Sequence, residues 1–107
     1  MARVVAISSD LLLGSKVEAM LRAAGHEVTM APGMEGTPLD GADLIVADLD
    51  AEDATALVGH GIPTLGYYSH VDVNTKQRAE TAGVDLVVPR SRMARELVNL
   101  AAGLLDS

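Results

Sequence analysis

The chain contains no cysteine, no tryptophan and no phenylalanine, and its only aromatic residues are the adjacent Tyr67 and Tyr68. Without cysteine, disulfides, thiolate metal sites and thiol catalysis are all excluded. With so few aromatics, the chain cannot build the stacking platform on which single-stranded nucleic acid is usually held. Basic residues are scarce too: 8 Lys and Arg stand against 15 Asp and Glu, a formal net charge of -7. A phosphate-backbone partner needs a basic face, so nucleic acid is not an expected ligand. The densest cationic stretch, Arg90, Arg92 and Arg95, reads as a solvated helix start. Long apolar runs are absent as well. None approaches the roughly 18 residues of a membrane span, and the N-terminal run is too short for a signal peptide. The expectation is a cytoplasmic protein with no membrane partner.

What remains is an aliphatic chain of one-domain size. The 107 residues leave no room for a second core, so residues 1–107 form a single domain. Hydrophobic residues make up 49% of the chain, which argues against disorder and requires a core of Val, Leu, Ile, Ala and Met.

The apolar residues alternate between two periods. Short β-branched runs occur at residues 4–7, 28–30, 44–47, 62–68 and 84–88. Most are apolar on successive residues, the pattern of strands covered on both faces in a parallel sheet. The second run, residues 26–31, is shorter and more polar, as suits a sheet edge. Between the runs lie helical patterns. Leu13, Val17, Met20, Leu21 and Ala24 recur at three- and four-residue spacing from a start near Asp10, and Gly25 follows as a stop. A short helix is expected over 51–58 with Asp50 as its cap and Gly59 at its end. A further helix reaches Ala82, capped by Asp72 or Asn74 and closed by Gly83. The last is capped by Ser91 and buries Met93, Leu97, Leu100 and Leu104. Residues 32–42 hold Pro32, Gly33, Gly36, Pro38 and Gly41, so at most one helical turn is expected there.

Strand–helix alternation with short links predicts βαβ units and a doubly wound α/β sheet. Five units predict a flavodoxin-like (βα)5 three-layer sandwich with strand order 2-1-3-4-5, its second helix reduced or absent. In such sheets, ligands bind at the carboxyl ends of the strands. Those ends carry Ser8, Ser9 and Asp10, then Asp48 and Asp50, then Ser69, His70 and Asp72, and finally Arg90 and Ser91. The candidate binding set is therefore Ser9, Asp10, Ser69, His70, Arg90 and Ser91, with Asp48 at its centre.

An aspartate closing the third strand of a five-unit flavodoxin-like chain, in Leu44-Ile45-Val46-Ala47-Asp48-Leu49, resembles the receiver domain of response regulators. The resemblance covers nearly the whole chain. It implies a two-component signalling role, a kinase or effector protein as partner, and Asp48 as phospho-acceptor. Counted from Gly25, the receiver acidic pair falls on Ser8 and Ser9. Counted from Gly83, its hydroxyl position falls on Tyr68, with Ser69 next, and its lysine falls on Arg90.

The chain departs from that pattern where the chemistry is done. Receivers hold Mg²⁺ with two or three carboxylates, because a hard dication beside a phosphoryl group needs charged oxygen ligands. Ser8 and Ser9 carry no charge, and Asp10 stands one position late. Arg90 keeps a positive charge but is a planar fork in place of a compact ammonium. Pro89 precedes this cation, where the family places its proline after. The segment from Asp48 to Pro63 is about ten residues shorter than the general receiver pattern.

Plain structural roles compete with each functional one. Asp48 can accept a phosphoryl group or close a backbone turn. Ser8 and Ser9 can seat an anion or bond to their own turn. Arg90 and Ser91 can form an anion seat, or Arg90 can pair internally with Asp48. Ser69 and His70 are adjacent on an extended segment and point apart, so a catalytic triad with Asp72 is not expected. His26 and His60 sit beside glycines at element ends, and three scattered histidines make no zinc site.

The expectation is a stand-alone pseudo-receiver: an interaction module with no enzymatic turnover, no metal site and no cofactor. Two alternatives stay open. One is a phospho-accepting regulator using Asp48, which would need Mg²⁺. The other is a domain that binds a small ligand or anion at the rim. Leu11, Leu12, Val98 and Leu105 exceed the buried stripes of the first and last helices, so a protein partner or a homodimer is expected on those two helices.

Overall fold

The computed structural model describes residues 2–69 and 73–106. Five strands, β1 (Arg3–Ile7), β2 (Glu27–Ala31), β3 (Leu44–Asp48), β4 (Thr64–Tyr68) and β5 (Leu86–Pro89), pair in parallel in the order β2-β1-β3-β4-β5. The helices are α1 (Leu11–Ala23), α2 (Ala54–Leu57), α3 (Val73–Ala82) and α4 (Arg90–Leu105). This is the flavodoxin-like architecture expected from the alternating pattern.

Continuous burial explains why the central strands carry no polar alternation. Val4 through Ile7, Leu44 through Ala47 and Thr64 through Tyr67 are all buried, because both sheet faces are covered. Residues that alternate along each strand feed two separate cores. One core joins Val4, Ala6, Val46, Leu65 and Tyr67 to Leu13, Val17 and Leu21 of α1 and to Met93, Leu97 and Ala101 of α4. The other joins Val5, Ile7, Ile45 and Ala47 to Leu57 of α2 and Ala79 of α3. Thus α1 and α4 share one face, while α2 and α3 share the other.

Between β2 and β3 the chain crosses as an irregular loop in place of a helix. Turns close from Thr37 N to Met34 O at 3.1 Å and from Ala42 N to Leu39 O at 3.0 Å. Met34, Leu39 and Ala42 pack on the second core and do the covering a helix would otherwise do.

Several boundaries differ from those read in the sequence. The fourth strand begins at Thr64 and the fifth at Leu86. Helix α2 is one turn, Ala54–Leu57, and its cap is Asp53, whose side chain accepts from Thr55 N. Asp50 is drawn elsewhere, as described below. The last helix begins at Arg90, so Ser91 is not its cap: Pro89, with φ -62, ends β5 and is itself the N-cap, without a side-chain bond. Strand thus passes into helix with no linker, which leaves Ser91 inside the first turn. Asn74 lies within α3, and the other proposed cap, Asp72, lies outside the described residues. Leu105, expected on the surface, packs against the first core, as do Leu100 and Leu104.

Gly66 on β4 is a close-approach position. A Cβ there would stand 2.7 Å from Leu49 Cδ1 and 2.8 Å from Leu49 Cγ. Leu49 is itself buried immediately after β3, so Gly66→Ala is expected to destabilise the fold by about 1–3 kcal/mol through overpacking. Urea unfolding of the variant beside wild type measures this, and Gly66→Ala combined with Leu49→Ala should recover part of the loss.

Candidate functional site

The carboxyl ends of β1, β3, β4 and β5 bring Ser8 to Asp10, Asp48 to Asp50, Ser69 and Arg90 to one rim. Ser8 is buried by the close approach of α1 to the sheet at Gly14, whose hypothetical Cβ would lie 3.7 Å from that of Ser8. Its hydroxyl accepts from Asp10 N at 3.1 Å and donates to Asp10 O at 3.2 Å. The serine therefore shapes its own turn, as one of its two expected roles had it, and Ser9 is left exposed on the bend.

Asp10 is the most heavily engaged carboxylate. As the N-cap of α1 it accepts from Leu12 N at 3.0 Å and Leu13 N at 3.1 Å through Oδ1. Its Oδ2 accepts from Arg90 Nη2 at 3.3 Å. The backbone bond from Leu13 does most to hold its pKa below the ordinary value, with Leu12 and Arg90 acting in the same direction against desolvation.

The expected pairing of Arg90 with Asp48 is corrected here: the ion pair is with Asp10. Arg90 opens α4, which lies beside α1 on the same sheet face, so its guanidinium reaches the start of α1. Asp48 receives only its field. Half-buried at the end of β3, Asp48 accepts from Asp50 N at 2.9 Å through Oδ1. Among the described residues no hydrogen bond reaches its Oδ2. Burial is the main cause that raises its pKa, opposed by the Asp50 N–H and by Arg90 and assisted by the charges of Asp50 and Asp10.

Asp50 turns away from the helix it was expected to cap. Its Oδ2 accepts from Ser69 N at 2.8 Å and from the Ser69 hydroxyl. This latch ties the loop after β3 to the end of β4. Ser91 is exposed, and its carbonyl accepts from Arg95 Nε at 3.4 Å. His70 lies outside the described residues.

Sequence reasoning missed Tyr67. It pairs in register with Asp48, and its side chain is 1% exposed. Its hydroxyl is the one buried side-chain polar atom among the described residues with no hydrogen-bond partner. Burial raises its pKa. The Ser8 hydroxyl opposes the rise, but it is already bonded to the Asp10 backbone and forms no bond of good geometry with Tyr67. The signal was available in the alternation of β4, since Leu65 and Tyr67 must share a face while Tyr68 points to the other.

This donor set does not fit Mg²⁺. A dication of that hardness needs several charged oxygens free to turn inward. Asp10 has both oxygens engaged, Asp50 is held by Ser69, and Ser8 is neutral and locked in its turn. Among the described residues no group of three His, Asp or Glu is placed to hold a metal. No helix among them is long and apolar enough to cross a membrane.

The fold is that of CheY-like response-regulator receiver domains. A response regulator of Chloroflexus aurantiacus superposes with a TM-score of 0.85 at 20% identity, covering 99% of this chain and 98% of its own. The non-phosphorylated HemR receiver domain of Leptospira biflexa does so with a TM-score of 0.83 at 17% identity, covering 100% and 96%. A pilus assembly-related protein of Burkholderia pseudomallei gives 0.75 at 21% identity, covering 99% and 90%. No family sequence model and no curated protein sequence matches the chain.

Two outcomes follow from the electrostatics and the orphaned hydroxyl. Because its folded pKa is raised, Asp48 favours the fold only while protonated, and that contribution is lost as pH rises through the raised value. Asp48→Asn should therefore raise the melting temperature at pH 7, with the gain vanishing below the ordinary aspartate pKa; melts across that range measure it. Removing an unpartnered buried hydroxyl relieves its desolvation cost, so Tyr67→Phe should be neutral or stabilising by up to about 1 kcal/mol in urea unfolding.

Proposed function

We propose that the chain is a pseudo-receiver: a receiver-fold interaction module that transmits a signal through protein contact and neither turns over substrate nor takes up phosphate. The observation that carries this reading is the engagement of Asp10. It is the one carboxylate that could replace the missing acidic pair, and both of its oxygens are held by α1 and Arg90. Releasing it for a metal would uncap α1 and strand a guanidinium at the rim. Charge balance at the rim is then supplied by Arg90, permanently and without metal.

A phospho-accepting alternative rests on a single feature, the Oδ2 of Asp48 at the end of β3, which no hydrogen bond reaches among the described residues. Phosphoryl transfer would further require charge compensation that Ser8 and Ser9 do not offer. A protein partner follows from the interaction reading, and the fold's solved relatives include response regulators.

The deciding measurement is a set of thermal melts with and without Mg²⁺ and beryllofluoride. Wild type should show no Mg²⁺-dependent shift. A shift that needs both additives and disappears in Asp48→Ala would establish a phospho-acceptor and overturn the proposal.

A further inference from the structure

From the exposed faces of α1 and α4 we infer that these two helices form the docking surface for an acidic amphipathic helix of a partner protein; the inference rests on the interaction-module reading. Among the described residues the exposed large hydrophobics are Leu11, Leu12 and Val98, at 84%, 82% and 41%. Leu12 and Val98 each stand in an outward row, with Leu11 beside Leu12 at the start of α1. On α1, Leu12, Lys16, Ala19 and Ala23 recur at i, i+4, i+7 and i+11, all exposed, on the side opposite the buried Leu13, Val17 and Leu21. On α4, Ser91, Arg95, Val98 and Ala102 repeat the same spacing, all exposed, opposite the buried Met93, Leu97 and Ala101. The two helices pack side by side, and the Asp10–Arg90 pair fixes their starts together at the rim. Each outward row therefore offers an apolar side chain and a cation, with small residues toward its far end, a shape into which the ridge of a third helix fits.

Charge decides what that third helix carries. Neither outward row contains an acidic residue, in a chain that holds 15. Of the acids on or capping these helices, Asp10, Glu18 and Glu96 are paired with Arg90, Arg22 and Arg92, and Asp106 stands at the far end of α4 as its C-cap. Counted with their caps, residues 10–23 and 90–106 sum to a formal +1, and the chain as a whole to -7, so the remainder carries -8. A two-fold contact with a second copy would lay this cationic face on itself. An anionic membrane, extending past this face on every side, would meet the negative remainder, whereas one helix stays within the face. A single helix with leucines on one side and glutamates flanking them meets neither objection and satisfies Lys16 and Arg95 while covering Leu12 and Val98.

The probe is a labelled peptide of about 20 residues, long enough to hold a helix, with leucines at i, i+3, i+4 and i+7 and glutamates elsewhere. Saturable binding is expected, with amide shifts confined to α1 and α4. Leu12→Glu and Arg95→Glu should each weaken it about tenfold or more, the effect of losing one desolvated anchor. Both positions are exposed, so both variants should melt like wild type. Three results would overturn the inference: equal binding of a lysine-for-glutamate peptide, unchanged affinity in both variants, or no saturable binding. A wild-type dimer in sedimentation that Leu12→Glu dissolves would assign the face to a second copy, and displacement of the peptide by phosphatidylglycerol vesicles would assign it to lipid. Beryllofluoride melts on the same samples keep the readings apart, because a phosphoryl response would overturn the pseudo-receiver reading and leave the peptide result standing.

Discussion

Asp10 joins the two helices that cover one face of the sheet, and the character of the rim depends on it. Its Oδ1 accepts the first free N–H groups of α1, and its Oδ2 accepts from the first residue of α4. A carboxylate at a helix N-terminus is favoured by the helix dipole, so α1 holds this group ionised whether or not anything else binds. The same charge pairs with Arg90, whose field is one of several that act on Asp48 and Tyr67 beside their burial. The guanidinium that balances Asp10 comes from α4, so this pairing is made when the two helices pack side by side.

Most of the architecture was legible because burial on two faces leaves a strong mark. Successive β-branched residues at 4–7 and 44–47 have no other economical explanation, and the parallel order follows from the strand–helix rhythm. The absent crossover helix was legible for the opposite reason, since Pro32, Gly33, Gly36, Pro38 and Gly41 forbid it. Boundaries were harder. Asp50 and Asp53 are equally good caps in sequence, and Ser69, 19 residues away, decides between them by taking Asp50. Ser91 looked like a cap because serine is a preferred N-cap residue, yet Pro89 closes the strand and caps the helix at once.

The site was less legible than the fold because its pairings are made across elements. Nothing local distinguishes Asp48 from Asp10 as the partner of Arg90; the choice is made by which helices share a face. Tyr67 and Tyr68 are adjacent and chemically identical. Only the pleat of β4 sends the first under the rim and the second toward the other core. The apolar excess on the first and last helices was visible at Leu11, Leu12 and Val98, whereas Leu105 was absorbed by a core that extends to the end of α4.

The lack of tryptophan gives the position of Tyr67 a further meaning. All near-ultraviolet absorption and emission of the protein arises from two phenols on one strand, and one of them lies fully buried beneath Asp48 and Arg90. The absorption and emission of a buried phenol respond to the charges around it, and those of Asp48, Arg90 and Asp10 act on this one. Rearrangement of charge at the rim is thus written directly into the optical spectrum of the native chain, against a background of only one other ring.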